Sequence, residues 1–275
     1  MSIRSSFSRL GLALGLSFLA ALMFLPIIWT ALTSFKTQPE IVEVPPSFLP
    51  DSFGNFANYA TVIERLSFLR LYANSIAFAG VVLVFSLLVA SLAGYGFAKF
   101  RIPGKEVFFF LIVGVLMVPF QSVALPLYRW MDRLALIDTF VGLTLPMLIS
   151  AFGVLLMRET ISTIPRDYME AARMDGSSEL GIFVRIILPM VKPGLASLAI
   201  IKFMWTWNEF FWPLLVINTP QKAVVTLGLS YLSNMYFKEY HLITAAATLS
   251  LLPLVVLFIL LRRWMVEALA GTGLK

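Results

Sequence analysis

Long stretches of this 275-residue chain carry no charged side chain, and they limit what the chain can fold into. Five of them are at least 19 residues long and mostly apolar: residues 10–35, 71–98, 107–128, 139–157 and 242–261. A helix needs about 20 apolar residues to cross the roughly 30 Å hydrocarbon core of a bilayer. We therefore predict an all-α integral membrane protein that crosses the bilayer several times.

A sixth stretch, from Pro193 to about Ile217, is equally apolar but contains Lys202 and Glu209. We predict that it also crosses the membrane. The six predicted spans are residues 10–34, 71–98, 107–128, 139–157, 190–217 and 242–261. The first span is longer than the roughly 7–15 apolar residues of a signal-peptide core and lacks a small-residue cleavage site, so we expect it to remain as a helix.

The distribution of basic residues predicts the orientation of the chain, because short cytoplasmic loops are rich in Lys and Arg. With the N-terminus in the cytoplasm, 13 Lys and Arg residues fall in inside segments and 7 in outside segments. Both termini are therefore predicted to be cytoplasmic, as is the loop 158–189. Outside, residues 36–70 are predicted to form a loop with one short helix that ends near Arg65.

The net charge and the absence of cysteine limit the partners and metal sites that the chain can have. The net charge of +6 is explained by inside loops that face anionic membrane lipid, so no nucleic-acid partner is predicted. The chain has no cysteine, which excludes disulfides and thiolate metal sites. We predict no metal site.

The loop 158–189 is the largest polar segment inside, and its pattern predicts two short helices joined by Gly176. Asp167 places negative charge in the first turn of the first helix, where the helix dipole favours it. Gly176 suits the position after the last turn, which commonly needs a positive φ, and Ser177 or Ser178 can cap the second helix.

The first of these helices has two possible roles. Amphipathic helices often lie on lipid headgroups, but this one lacks a wide apolar face. Its small surface at Ala171 and Ala172 suits close approach by another protein. We therefore favour a docking helix over a lipid-bound one.

The spacing within this loop is specific. Glu170-Ala171-Ala172, three residues, Gly176, nine residues and then Ile186-x-Leu188-Pro189 resembles the EAA loop of the membrane subunits of bacterial ABC importers. The resemblance implies a coupling helix that fits a groove on the ATP-hydrolysing subunit. The residues that it assigns to this contact are Tyr168, Met169, Glu170, Ala171, Ala172, Arg173, Met174, Asp175 and Gly176.

Further motifs along the chain resemble the sugar-importer branch, most of all the maltose-type second permease subunit. They are Ser34-Phe-Lys36, Asn74-Ser75-Ile76, residues 93–98 with Pro103-Gly104, Val118-Pro119 with Gln121 and residues 126–128, residues 207–210 with Pro213-Leu214, and Leu252-Pro253. Two places depart from the pattern. Tyr168 stands where many relatives carry a smaller aliphatic residue, and residues 271–275 only approximate the usual glycine-rich ending.

The resemblance implies a type I ABC importer permease fold and a specific set of partners. These are a second permease subunit in a heterodimer, two ATP-binding subunits, an extracytoplasmic solute-binding protein and membrane lipid. The function predicted is ATP-driven import of a di- or oligosaccharide or related polyol across the bacterial plasma membrane. The alternatives are import of a non-sugar solute such as a glycerophosphodiester, and an ATP-independent carrier or channel, which would need no docking helix.

The sequence predicts no enzymatic activity for the chain itself. The spacing of Gly176 and Gly181 resembles a phosphate loop, but Ile182 and Phe183 follow where Lys and Ser or Thr are needed. His241 is the sole histidine, and no nucleophile, base and orienting group converge in the sequence. We expect no cofactor on this chain, with ATP and Mg²⁺ bound by the partner ATPases.

Lys202 and Glu209 are the charged residues between Pro193 and Ile217. A charge at mid-membrane costs about 2.5–3.5 kcal/mol, so each should face protein or water. Their spacing of seven corresponds to about 10 Å along a helix, too long for a direct ion pair. They belong either to a translocation path with Trp205 and Asn208 or to a polar clamp between helices, and we favour the clamp.

Overall fold

The computed structural model describes residues 3–232 and 238–272, with side chains for 11–232 and 238–263. These residues are mostly helical, and we number the α-helices in chain order. They are α1 (Ile3–Thr33), α2 (Gln38–Val42), α3 (Ala57–Arg65), α4 (Phe68–Lys99), α5 (Lys105–Gly114), α6 (Phe120–Arg133), α7 (Phe140–Thr144), α8 (Ala151–Ser162), α9 (Asp167–Met174), α10 (Glu179–Ile182), α11 (Leu188–Met190), α12 (Lys192–Trp207), α13 (Phe211–Val216), α14 (Val225–Ser230) and α15 (Tyr240–Thr272). The end of the tail, residues 273–275, lies outside the described residues, so the predicted glycine-rich ending is described only in part.

Three helices of the described chain are long and apolar enough to cross a membrane alone: α1 from Gly11, α4, and α15 as far as Arg263. Three more candidate spans are pairs of helices with a bend between them. The pairs are Lys105–Met117 with Phe120–Arg133, Phe140–Met147 with Ala151–Ser162, and Glu179–Met190 with Lys192–Trp207. Six spans result if each pair forms one crossing. The span limits given above remain predictions.

The bends have local causes in the backbone. The sharpest, 101°, follows α5. Val118 there is extended (φ −92°, ψ 115°) because the ring of Pro119 excludes the helical conformation from the preceding residue. The second bend, 42°, falls at Ser150, which is also extended and whose side chain caps α8 by accepting a hydrogen bond from the Gly153 N–H.

The stretch predicted as the span 190–217 is divided twice. A bend of 78° at Val191 separates α11 from α12. A second interruption separates α12 from α13 at residues 208–210, where the Asn208 N–H still bonds the Met204 carbonyl but the helix does not continue. This stretch therefore contains two helices rather than one continuous rod.

The chain separates into two compact units, the first of which contains residues 1–68 and 229–252. Its helix α1 is exposed along its apolar length. The segment after α1 packs around Phe35, whose ring lies 5.5 Å from that of Tyr59 and 5.6 Å from that of Phe56. Helix α3 ends at Arg65, as predicted, although the segment contains a second short helix, α2, that was not predicted. Arg65 pairs with Glu239 at 2.7 Å.

The second unit contains residues 69–228 and 253–275. One apolar cluster joins α4, α8, α9 and the segments from α10 to α12. Its buried members are Ala90, Tyr95, Val154, Met157, Ile161, Ile164, Met169, Ala172, Ile182, Phe183, Ile187, Val191 and Leu198. We call these residues the inner cluster. It positions α9, the predicted docking helix, against the ends of two membrane helices.

Candidate functional site

Helix α9 runs from Asp167 to Met174 and carries charges that suit its dipole. Asp167 and Glu170 lie in the first turn and Arg173 lies in the last turn. Negative charge near the N-terminus and positive charge near the C-terminus stabilise a short helix by a few tenths of a kcal/mol to about 1 kcal/mol each.

The turn after α9 depends on Gly176, which has a φ of +78°. The Ser177 N–H bonds the Ala172 carbonyl at 2.9 Å, and the Gly176 N–H bonds the Arg173 carbonyl at 3.0 Å. This is the Schellman arrangement that ends many helices. Ser178 then caps α10, since its hydroxyl accepts a hydrogen bond from the Gly181 N–H. The predicted glycine turn and serine cap are both present in the structure.

The two faces of α9 differ sharply in exposure. Met169 is 1% exposed and Ala172 is 8% exposed, both within the inner cluster. Tyr168 is 53% exposed and Met174 is 90% exposed. The other outward residues are Glu170, Ala171, Arg173, Asp175 and Gly176. The expectation that Ala171 and Ala172 form one outward surface is wrong for Ala172, because helical geometry turns it toward the same side as Met169, three residues earlier.

A hydrogen-bonded chain of three side chains connects the α9 region to α4. The Arg173 guanidinium donates to Glu179 in α10, with Nε 2.6 Å from Oε1. The Tyr95 hydroxyl of α4 donates to the other carboxylate oxygen of Glu179 at 3.0 Å. Sequence reasoning missed this connection. Arg173 and Glu179 flank the glycine turn with opposite charges, which was an available signal, but nothing in the sequence indicates Tyr95.

Two lysine side chains donate hydrogen bonds to carbonyl groups at helix ends in the same region. The Lys99 ammonium is buried and donates to the carbonyls of Ser162, the last residue of α8, and of Ile164, two residues beyond it. The Lys105 ammonium donates to the Phe97 and Phe100 carbonyls at 2.7 and 2.8 Å. Cations favour helix C-termini, where carbonyl groups lack helical partners.

The four residues proposed for the path or clamp do not converge on one point. Lys202 is buried, 7% exposed, whereas Trp205 is 54% exposed and packs on Phe152 with the ring centroids 5.3 Å apart. Asn208 is also exposed, and its amide donates to the Met204 carbonyl of its own helix at 2.9 Å. Lys202 and Glu209 form no ion pair, as their spacing predicted.

Glu209 has a clear local role. Its carboxylate accepts a hydrogen bond from the Trp212 N–H at 3.0 Å, so it caps the start of α13. Its main-chain carbonyl accepts from the Thr226 hydroxyl of α14 at 2.6 Å. Trp212 is fully buried, and its indole N–H donates to the Gly142 carbonyl of α7. These contacts are of the kind that a clamp between helices would make.

A second polar network, missed in the sequence, surrounds Asp138. Its carboxylate accepts from the Asn218 and Thr219 N–H groups, from the Thr219 hydroxyl and from the Lys222 ammonium at 2.8 Å. The Lys222 ammonium, followed by Thr219, holds the pKa of Asp138 well below its usual range. The Asn74 side-chain amide of α4 contacts the same loop, residues 218–222, by donating a hydrogen bond to the Gln221 carbonyl at 3.0 Å.

No group of three or more His, Cys, Asp or Glu side chains is placed to hold a metal ion in the described part of the chain.

Comparison with known families explains this arrangement. Residues 86–270 match the family described as "binding-protein-dependent transport system inner membrane component". The chain belongs to this family. The matched region of this permease includes the C-terminal end of α4, the inner cluster, α9 and all of α12.

Curated relatives extend the similarity to the whole chain. The arabinooligosaccharide transport system permease protein AraQ of Halalkalibacterium halodurans is 32% identical over 268 residues, covering 96% of this permease and 95% of AraQ. The sn-glycerol-3-phosphate transport system permease protein UgpE of Brucella abortus is 32% identical over 256 residues, covering 90% of each chain.

A solved structure is similar in fold. It is the crystal structure of a bacterial ABC transporter involved in the import of the acidic polysaccharide alginate. The matching chain has a TM-score of 0.82 at 24% identity, with 96% of this permease and 99% of that chain covered. The permease therefore has the all-α integral membrane fold of an ABC importer permease.

Proposed function

We propose that this permease is one half of a heterodimeric pore that imports a carbohydrate across the bacterial plasma membrane. The energy comes from two ATP-binding partner subunits at the cytoplasmic side, and an extracytoplasmic solute-binding protein delivers the solute to the outer side. Both termini and the loop that contains α9 lie in the cytoplasm, in accord with the excess of Lys and Arg in those segments.

The observation that carries the coupling proposal is the two-faced exposure of α9. A lipid-bound helix would turn its apolar side to the membrane. Here the side with Met169 is buried in the protein's own inner cluster. The outward side combines Tyr168 and Met174 with Glu170, a mixture of apolar and charged groups that suits a protein groove better than headgroups. The outward residues of 168–176 contact the ATPase, while Met169 and Ala172 hold the helix in place.

The geometry around Gly176 also supports a partner as the site of ATP hydrolysis. Gly176 ends α9 in a Schellman turn instead of opening a phosphate loop. Ile182 and Phe183, where a phosphate loop needs polar residues, are buried in the inner cluster. ATP and Mg²⁺ are bound by the partner ATPases, and this permease is a transport subunit without an ATPase site of its own.

The relatives favour a carbohydrate as the solute. AraQ is named for arabinooligosaccharide transport, and the structurally similar transporter takes part in the import of the polysaccharide alginate. A second candidate, an organic phosphate such as sn-glycerol 3-phosphate, is favoured by the similarity to UgpE. We propose an oligosaccharide first.

The four residues proposed for the translocation path fall into two pairs that differ in exposure. Trp205 and Asn208 present an aromatic face and an amide at the surface of the described chain, groups that stack on sugar rings and bond sugar hydroxyls. Lys202 and Glu209 face other helices. We assign the first pair to the path or to the second permease subunit, and the second pair to a clamp between helices.

The proposal is tested by reconstitution in proteoliposomes. The permease is combined with its second permease subunit, its ATPase and its binding protein, and uptake of labelled arabinooligosaccharide and of labelled sn-glycerol 3-phosphate is measured. We expect uptake that requires ATP and every component. Uptake by this chain alone without ATP would identify a carrier or channel instead, and uptake of the phosphate alone would favour the second candidate solute.

A further inference from the structure

The α9 region is connected to the membrane helix α4 by one buried phenolic hydroxyl. Tyr95 is 5% exposed, and its ring packs edge-on against Phe100 at 5.2 Å and lies tilted against Phe183 at 5.4 Å. Only its O–H reaches the polar chain, where it donates to Glu179 at 3.0 Å. The packing of the ring fixes where the hydroxyl points.

Glu179 therefore receives hydrogen bonds from two directions. One comes from Tyr95, near the inner end of a 32-residue helix. The other comes from Arg173, in the last turn of α9, across the Gly176 turn. Hydrogen bonds to a charged acceptor are shorter and stronger than neutral ones, so this carboxylate ties three helices together.

We propose that Tyr95, Glu179 and Arg173 form a strut that transmits the displacement of α9 to α4. Tyr95 is a positioning residue in this view, since it touches neither ATP nor solute. The inference depends on the proposed coupling role of α9 and names the route by which that coupling reaches the membrane.

The surroundings make α4 a suitable receiver of this motion. It is one unbroken helix from Phe68 to Lys99, long enough to cross the bilayer. Lys99, one turn beyond Tyr95, donates to the carbonyls of Ser162 and Ile164 at the end of α8. A displacement applied at Glu179 therefore reaches α4 and the end of α8 through the Tyr95 hydroxyl as well as through the inner cluster, and loss of the hydroxyl removes the polar part of this connection.

The test is Tyr95→Phe, which removes the hydroxyl and keeps the ring. In the reconstituted complete transporter we expect the number of solute molecules imported per ATP hydrolysed to fall about tenfold, equivalent to about 1.4 kcal/mol of coupling. The yield of assembled complex should be unchanged. The matched control is Tyr72→Phe, which removes a hydroxyl from the same helix about 34 Å away and should keep the ratio.

A second variant tests whether the link runs through Glu179. Glu179→Ala should lower the same ratio, and the double variant with Tyr95→Phe should lose little more, because one connection is being removed twice. An unchanged ratio in Tyr95→Phe, an equal loss in Tyr72→Phe, or losses that add in the double variant would each overturn the strut. If the unmodified transporter shows no ATP-dependent uptake, the proposed function fails instead.

Discussion

Gly94 of α4 and Met157 of α8 lie so close together that a methyl group on Gly94 would stand 2.7 Å from the Met157 Cβ and 2.8 Å from the Arg158 N. Real Cβ atoms do not approach other atoms this closely, so the backbone of α4 at Gly94 lies directly against the backbone and the Met157 Cβ of α8. Gly96, two residues along the same helix, has open space where its Cβ would be.

Gly94→Ala should therefore destabilise the permease, and Gly96→Ala should not. Forcing a methyl group into a packed contact costs about 1–3 kcal/mol. At Gly96 the substitution should be neutral or stabilising, because alanine favours helix over glycine by about 1 kcal/mol. The measurement is the thermal unfolding midpoint of the two purified variants in detergent, and equal midpoints would contradict the close contact.

The two methionines of α9 provide a matched pair, since Met169 is buried and Met174 is exposed. Met169→Ala should lower the free energy of unfolding by about 2–5 kcal/mol through the cavity it leaves. Met174→Ala should change stability by less than about 0.5 kcal/mol. The second variant should instead weaken co-purification of the ATPase subunit. Retained ATPase binding, together with crosslinks from position 174 to lipid alone, would contradict docking.

Substitutions at Gly176 and Gly104 separate the effect of backbone strain in a turn from the loss of coupling between ATP hydrolysis and import. Both have a positive φ, +78° and +75°, and both have open space where a Cβ would be. Valine tolerates this conformation poorly, so both substitutions strain a turn. Gly176→Val should lower import per ATP hydrolysed, and Gly176→Asn should restore much of it, because asparagine tolerates positive φ. Gly104→Val should keep the ratio; equal effects at both turns would argue against a specific role for Gly176.

Asp138 should make stability dependent on pH. The pKa of its carboxyl is lowered in the folded protein, first of all by Lys222, so its contribution is present above the unfolded-state pKa of about 4 and is lost as the pH falls through the folded-state value below it. Asp138→Asn should cost about 1–3 kcal/mol of stability at pH 7. The difference in unfolding free energy between this variant and the unmodified permease should shrink only below about pH 4. Asp132→Asn, at an exposed site on α6, is the control.

Glu209 should behave as a helix cap. Glutamine keeps the oxygen that accepts from the Trp212 N–H, so Glu209→Gln should retain both stability and solute affinity. Glu209→Ala should lower stability by about 1 kcal/mol, as cap removal does. Asn208→Ala should differ from Glu209→Ala, because it should weaken uptake and leave stability unchanged. A raised KM for solute in Glu209→Gln would place its carboxylate in the path.

The sequence predicted the features that depend on local chemistry. The length of the charge-free runs predicted a membrane protein with helical spans, which family membership confirms. The glycine and serine signals around Gly176 and Ser178 predicted the turn and the cap, because few other residues satisfy those backbone positions.

Features that depend on tertiary packing were not predictable. Ala172 reads as a small surface residue, and only the position of the inner cluster shows that it faces inward. Tyr95 lies 84 residues before Glu179, and no local pattern connects them. The sequence shows Pro119, but it does not show the size of the bend that follows. The bend angle depends on how α6 packs, and the buried residues of that helix are Ala124 and Met131.

The breaks at Pro119, Ser150 and Val191 have a consequence for how the permease sits among lipids. Each interrupts the ladder of backbone hydrogen bonds, and hydrocarbon offers the freed groups nothing to bond. Each break must therefore be screened from acyl chains by neighbouring protein or by water. The continuous helices α1, α4 and α15 contain no such break, so annular lipid can lie against them without leaving a run of backbone groups unbonded.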